Sequence, residues 1–453
     1  SENAALALAI SSLENEAICA RASALELFNE FCHSNPPPTD NLAGLYHIST
    51  GDTIFSLELL KMLQVPAIRA QVSKANEFIL SFLDPKTNPL FVNCALQCLL
   101  GIDYDSAEIA DALTNLLQIP QYTDHVLQVL ASTPDRSLSY FNSDIHDIIC
   151  STLKKCDLNL AFVCINHLLL IGIPFPNSSV TVLINLYRSF LEASCCSSAL
   201  HTILPQIFNA SPEAKAIALE NGFPELLFTE LAVARENRTH FNCVILTASE
   251  FVFGYNEGQM AIAETWKLDT LIDIFQPTSE VIHFFLCLAS RNNDIEALFA
   301  QEIGTESLLG RLLETFDSVQ IGTPQVIRLL ACVMHSGVVR RVIYRKKKVK
   351  SFVSRLIKYV SVKNWQFAEA MIRLFTVLTF YIDGIDNLLD CTQISELLEI
   401  LMENEEIIQM DIFSIFAHNL KGHTRTWPAV QQSFKKYNKK LYEIFMEIVS
   451  DEN

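Results

Sequence analysis

Helix-length apolar segments recur along most of this 453-residue chain, separated by short polar or Pro-containing breaks, and that recurrence limits the possible folds more than any other feature. The breaks include DPKTNP at 84–89, ASTPD at 131–135, PFPNSS at 174–179, ASPE at 210–213 and FQPTSE at 275–280. Each combines helix-stopping Pro with residues that start helices or turns. Between them the apolar residues follow a helical period, and no alternating strand pattern competes with it. The segments also resemble one another. SKANEFILSFL (73–83), AEIADALTNLL (107–117), HDIICSTLKKC (146–156) and SSVTVLINLYR (178–188) align by eye, and so do GFPELLFTELA (222–232), KLDTLIDIFQP (267–277), TESLLGRLLET (305–315), VKSFVSRLIKY (349–359) and TQISELLEILM (392–402). Equivalent positions lie roughly 33–45 residues apart, the period of two- or three-helix units that must stack to bury their apolar faces. These segments are read as the last helix of each unit.

Half the chain is hydrophobic, with 13 Gly and 16 Pro, so it can bury a large core. The thirteen cysteines sit mostly in apolar runs such as FVNCALQCLL and AFVCINHLLL, the pattern of buried, reduced thiols. That predicts a reducing compartment, the cytoplasm or the nucleus. No stretch reads as a cleaved leader, and polar residues interrupt every apolar run short of the about 18 residues a membrane span needs. The sequons at Asn177 and Asn237 carry little weight beside this.

Finer structure shows in AKAIALENGFPELLFTEL, where a short apolar segment is followed by a turn at Asn221–Gly222 and by Pro224 heading a longer helix. Gly suits the turn, and Pro is tolerated where a first-turn N–H has no partner. MAIAETWKLDTLIDIF and EALFAQEIGTESLLGRL repeat the layout, with Trp266 and Gly304 near the turn. On these segments the chain resembles the armadillo-repeat family, best over 212–402, with degenerate units over 54–211; paired-helix relatives of the HEAT type are the alternative. The resemblance implies an all-α, armadillo-like, right-handed superhelical solenoid. Residues 1–53 would form an N-terminal helical cap with the Pro-rich break NPPPTD, and 403–453 would form capping helices. It also implies binding of extended peptides or protein surfaces in a groove lined by each unit's third helix. The repeated Trp/Asn clamp of nuclear-import adaptors is not matched: of Trp266, Trp365 and Trp427, Trp365 is followed four residues later by Glu369.

Several His and Cys pairs fall at helical spacing: Cys94–Cys98, Cys150 with Cys156, Cys164–His167, His283–Cys287 and Cys332–His335. Zinc needs three or four converging ligands, and each of these pairs stands alone in an apolar helix, so core roles are expected and no metal or cofactor is assigned. The carboxylate pairs Asp383–Asp386 and Glu405–Glu406 read as solvated helix ends. There is no nucleophile elbow, zinc-protease helix or phosphate-binding glycine loop, and no enzyme is expected.

Charge is unevenly placed. The formal net charge is −18, yet residues 318–368 contain no Asp or Glu. Residues 1–317 hold 15 Lys or Arg against 37 Asp or Glu, a net of −22, whereas 318–453 hold 18 against 14, a net of +4. Within the acid-free stretch, 340–363 carries ten Arg or Lys in twenty-four residues, threaded with Val342, Ile343, Tyr344, Phe352 and Leu356. This reads as amphipathic helix with a basic face. The residues expected to bind a partner are Arg341, Arg345, Lys346, Lys347, Lys348, Lys350, Arg355 and Lys358. Ordered bases meet anionic groups at lower ordering cost than a flexible tail does. The expected function is a non-enzymatic scaffold or adaptor that binds a protein partner, an acidic one at this face. A peripheral adaptor on anionic membrane lipid through 340–358 is the alternative. Nucleic acid is disfavoured by the acidic body. The competing intramolecular role would turn the basic face toward that acidic body.

Overall fold

The computed structural model describes residues 53–69, 74–193, 198–318, 324–346, 351, 355, 365–380 and 443. The expected N-terminal cap, the C-terminal helices, Asp383–Asp386, Glu405–Glu406 and Trp427 lie outside them. The described residues are helical throughout apart from turns and one isolated bridge, Ile303 with Glu306. No described helix is long and apolar enough to cross a membrane. The chain divides into two compact units, 1–217 and 218–453.

In the first unit the helices are α1 (Thr53–Leu63), α2 (Pro66–Arg69), α3 (Ala75–Leu80), α4 (Pro89–Leu99), α5 (Ala107–Leu117) and α6 (Thr123–Ser132). They continue as α7 (Asp135–Leu138), α8 (Asp144–Thr152), α9 (Leu158–Leu170), α10 (Asn177–Glu192) and α11 (Leu200–Ala210). Two rows result. Helices α1, α4, α6, α9 and α11 neighbour one another in turn, and α3, α5, α8 and α10 form the second row. Local chemistry sets the starts: Asn88 caps α4 ahead of Pro89, Ser106 caps α5, and Asp157 accepts from two backbone N–H groups of α9.

Polar bonds tie each repeat to the next at the period read from the sequence. The Cys98 thiol donates to the Leu60 carbonyl 38 residues back, and the Cys164 thiol to the Leu127 carbonyl 37 residues back. Asp124 accepts from the Asp157 N–H at 2.8 Å, and Asp147 from the Ser178 hydroxyl at 2.8 Å. Some of the acidic body is therefore used to link successive repeats, Asp124 and Asp147 each reaching a residue about one repeat further on.

The second unit opens inside α12 (Pro212–Glu220) and continues with α13 (Phe223–Ala234), α14 (Arg238–Val252), α15 (Asn256–Ile274) and α16 (Ser279–Ala289). Then follow α17 (Asn293–Leu298), α18 (Leu308–Asp317), α19 (Pro324–Val333), α20 (Gly337–Arg345) and α21 (Trp365–Phe380). Here the helices come in threes. The third helices α14, α16, α19 and α21 pack side by side, and the short first helices α17 and α20 pack on each other. The segments matched by eye fall on α3, α5, α8, α10, α13, the second half of α15 and α18. Each is followed by one more helix before its repeat closes, so none is the last helix of its unit: α13, the second half of α15 and α18 are middle helices, and α3, α5, α8 and α10 are the earlier helices of paired units. Both kinds of helix are amphipathic with the same period, which is why the repeat frame could slip while the repeat itself was legible.

The turn between first and second helix sits at Gly222, Lys267 and Gly304 in successive repeats. Gly222 has φ 72° and Gly304 φ 64°, left-handed values that cost glycine little. At Lys267 α15 breaks with φ 57° and ψ 157°, a region that only glycine occupies easily. Lys267→Gly is therefore expected to stabilise the unit by about 1 kcal/mol, read as a rise in the urea midpoint at constant slope. A lowered midpoint would mean that the exposed lysine side chain contributes more than the strain costs.

Candidate functional site

Of the basic residues singled out from the sequence, Arg341, Arg345 and Lys346 stand exposed at the end of α20. Lys347, Lys348, Lys350 and Lys358 lie outside the described residues. Arg355 is engaged within the chain: it donates to the Phe316 and Asp317 carbonyls, pairs with the Asp317 carboxylate at 3.4 Å and lies over the Phe316 ring at 4.3 Å. It thereby supplies a cation to the C-terminal end of α18, where the helix dipole is negative. Arg340 does the same for α19. It is buried with Val339 and Ile343 and donates to the Met334 carbonyl at 2.8 Å and the His335 carbonyl at 2.7 Å.

The third-helix row of the second unit holds a more elaborate feature, a cavity of about 460 Å³ lined by Arg291, Glu296, Arg328, Cys332, His335 and Arg373 among others. The turn that presents Arg291 is locked by side-chain amides. Gln259 of α15 donates to the Cys287 carbonyl at 2.9 Å and the Ser290 carbonyl at 3.1 Å, and accepts from Asn292 at 3.0 Å. Asn292 also caps α17 by accepting from the Ile295 N–H. Arg291 is held between these fixed residues with φ 60°. Four residues into the capped chain comes Glu296, whose side chain is turned inward and only 2% exposed. On α19 and the turn after it, Arg328, Cys332 and His335 follow a spacing of four and three, which puts them on one side. Helix α21 adds Arg373, paired with Glu369 one helical turn earlier at 2.7 Å.

The electrostatics follow from burial. The Glu296 carboxyl is pushed up to about 7, chiefly by desolvation, with Arg340 pulling the other way. Its Oε2 has no hydrogen-bond partner. Burial also pushes the Cys332 thiol up to about 12, with Glu296 adding to it, so it does not become a thiolate nucleophile near neutral pH. His335 is held below the usual imidazole value by burial and by Arg340. Three exposed arginines, Arg291, Arg328 and Arg373, thus edge the cavity that the buried Glu296 carboxyl also lines. That arrangement can hold an anionic group; it has no activated nucleophile to attack one.

The other pairs do not make sites. Cys164 is bonded to the Leu127 carbonyl while His167 turns to Asp135 at 2.8 Å. His283 and Cys287 meet at 3.6 Å on α16, with the thiol buried. Burial pushes the Cys98 and Cys150 thiols up to about 12. In the first unit a cavity of about 780 Å³ is edged by Arg69, Lys74, Asp103 and Asp105. There Asp105 is already bound by Arg136 and the Tyr140 hydroxyl, and Asp103 by Ser137. The Arg291–Glu296–Arg328–Arg373 constellation escaped the sequence reading because its members are dispersed over four helices and turns. Arg328 alone lies in the acid-free stretch, one turn of helix before Cys332.

No protein-family model matches the chain. No curated protein sequence matches it either. Solved structures do resemble it in fold. An engineered protein from a structural-genomics programme aligns with a TM-score of 0.56 and 12% identity, over 91% of this chain and 98% of that one. A chain from a structure concerned with a phosphorylation switch in the interaction between cadherin and β-catenin aligns at 0.55 and 12%, over 97% and 90%. Uso1-2 aligns at 0.52 and 12%, over 91% and 78%. With the stacked two- and three-helix repeats described above, these likenesses are of fold alone, that of an α-solenoid.

Proposed function

We propose that this chain is a non-enzymatic repeat scaffold that binds an acidic segment of another protein along the third helices of its second unit and the neighbouring basic end of α20. The observation that carries the reading is the conjunction of an acid-free stretch, 318–368, with a third-helix row that places Arg328 and Arg373 at a cavity instead of in the core. Arg341, Arg345 and Lys346, exposed on α20, extend the positive surface. A fold shared with a protein from a study of the cadherin–β-catenin interaction adds support by analogy. The eight described cysteines are free thiols, four of them buried, which fits a cytoplasmic or nuclear setting and belongs to the same proposal.

Affinity capture from native lysate should recover a stoichiometric partner carrying an acidic stretch; turnover of a small molecule by the purified chain would overturn the reading. Replacing Arg341, Arg345, Lys347, Lys348 and Lys350 together by Gln should leave the fold intact and weaken partner binding by about tenfold or more. Exposed charges are worth about 0.2–1 kcal/mol each in such contacts. Wild-type binding should also fall with added salt. The competing reading, an adaptor on anionic lipid through residues 340–358, draws on the same exposed bases. It would be favoured if the variant lost binding to phosphatidylserine vesicles while keeping its protein partner.

A further inference from the structure

We infer that the cavity between α17, α19 and α21 is an oxyanion subsite, in which Arg291, Arg328 and Arg373 receive a carboxylate or phosphate borne by an acidic peptide and the buried carboxyl of Glu296 donates a hydrogen bond to the same group through its O–H. The inference rests on the scaffold reading above and deepens it by naming where and how the anionic partner is held. A guanidinium offers a planar fork that matches a carboxylate or phosphate, and three arginines line one cavity of about 460 Å³. Rigid elements hold them: an amide-locked turn for Arg291, α19 for Arg328 and α21 for Arg373.

Glu296 is the telling member. It is buried to 2% exposure, it lines the cavity, and its Oε2 is without a partner. A buried polar oxygen left without a partner costs stability, so a donor or acceptor brought to it by a ligand is favoured. If Glu296 is ionised it repels an incoming anion; if protonated, the carboxylic acid becomes a donor and the repulsion vanishes. Anion binding therefore takes up a proton.

The groups that surround it allow this to be isolated. From α20 comes Arg340, from the turn before α17 Arg291, from α19 and the turn after it Arg328, Cys332 and His335, and from α21 Arg373 with its partner Glu369. Asp294 is exposed on α17 itself. Helix α15 meets this turn through the uncharged Gln259 and α16 through backbone carbonyls. Burial keeps the Cys332 thiol protonated near neutrality. His335 alone among these could add a second titration, in the same direction as Glu296.

The test uses the full chain and a fluorescent, end-blocked octaglutamate peptide, with a phosphoserine peptide and an octaglutamine control, followed by anisotropy at low salt between pH 6 and pH 8. Wild-type protein should bind octaglutamate about tenfold more tightly at pH 6 than at pH 8, as expected when only the protonated form of a group titrating near 7 is competent. Glu296→Gln should bind at pH 8 as wild type does at pH 6, with the pH slope gone, and His335→Asn should keep the slope. Arg328→Gln with Arg373→Gln should lose at least about tenfold. The milder Lys pair at both positions guards against misfolding and should lose less, because it keeps charge without the fork. If the phosphoserine peptide alone shows this arginine and Glu296 dependence, the oxyanion is a phosphate. Weaker binding by Glu296→Gln at both pH values would overturn the subsite, as would binding of either anionic peptide that ignores the arginines, or no binding of either. In those cases the scaffold reading stands or falls separately on partner capture.

Discussion

Trp266→Ala is expected to destabilise the second unit by about 4 kcal/mol, the upper range for emptying an aromatic site in a packed core. Trp266 is fully buried at the end of the first segment of α15. Its indole Nε1–H donates to the Pro224 carbonyl at 3.3 Å, 42 residues away in the preceding repeat. Its ring stacks on Phe284 of α16 with centroids 5.3 Å apart. From Phe284 the contacts pass to Phe285 at 5.2 Å and on to Phe275 and Phe299, so one indole anchors an aromatic cluster reaching the end of α17. Truncation removes buried area, the stacked pair and one partner of a buried carbonyl together. Trp266→Phe keeps most of the ring and should cost only about 1–2 kcal/mol. Urea unfolding followed by circular dichroism separates the two. Because repeats couple to their neighbours, the Ala variant should show its second unit melting at lower denaturant. A loss below about 2 kcal/mol for Ala would show that the cluster closes over the gap.

Glu296→Gln is expected to stabilise the protein at pH 8 by about 2–3 kcal/mol and to change little near pH 4.5. The sign follows from burial. The carboxyl is raised from 4.5 to about 7 in the folded chain, so between those values the folded state holds a proton that the unfolded state has released. The contribution of neutral Glu296 is complete below pH 4.5 and is lost as the pH rises through about 7. Gln cannot titrate, so the gap between variant and wild type should open over that window. Melting temperatures of both proteins at pH 5, 6, 7 and 8 measure it. A constant gap across the series would show that Glu296 is charged throughout, held by Arg340. His335, held below its usual value, acts with the opposite sign in both proteins and drops out of the difference.

Most of the architecture was legible in the residues. Apolar period is a local property, so it marked α5, α8, α13 and α18 as equivalent, and turn chemistry marked Gly222 and Gly304 as repeat corners, with Trp266 next to the corner that falls at Lys267. The frame was not local. Whether a helix closes a repeat or stands in its middle depends on which neighbours it packs against. In the structure α14, α16, α19 and α21 form the row that follows the matched segments.

Basic residues show the same division. Their clustering at 340–363 is a fact of sequence, but side-chain direction divides them. Arg340 shares the inward face of α20 with Val339 and Ile343, and Arg341 and Arg345 take the outward one. Arg355 finds the end of α18 38 residues earlier. The cavity owes still more to tertiary structure, since Arg291, Glu296, Arg328 and Arg373 follow no spacing that a linear reading could isolate. By itself the sequence determined an all-helical chain, its repeat period, its repeat corners and where its positive charge is concentrated, because propensity, period and composition act over a few residues. Only the packed helices decided which cations face solvent and which satisfy helix ends, and which carboxyl is stripped of water. Burial, and with it the titration of Glu296, arises from contacts between residues tens of positions apart.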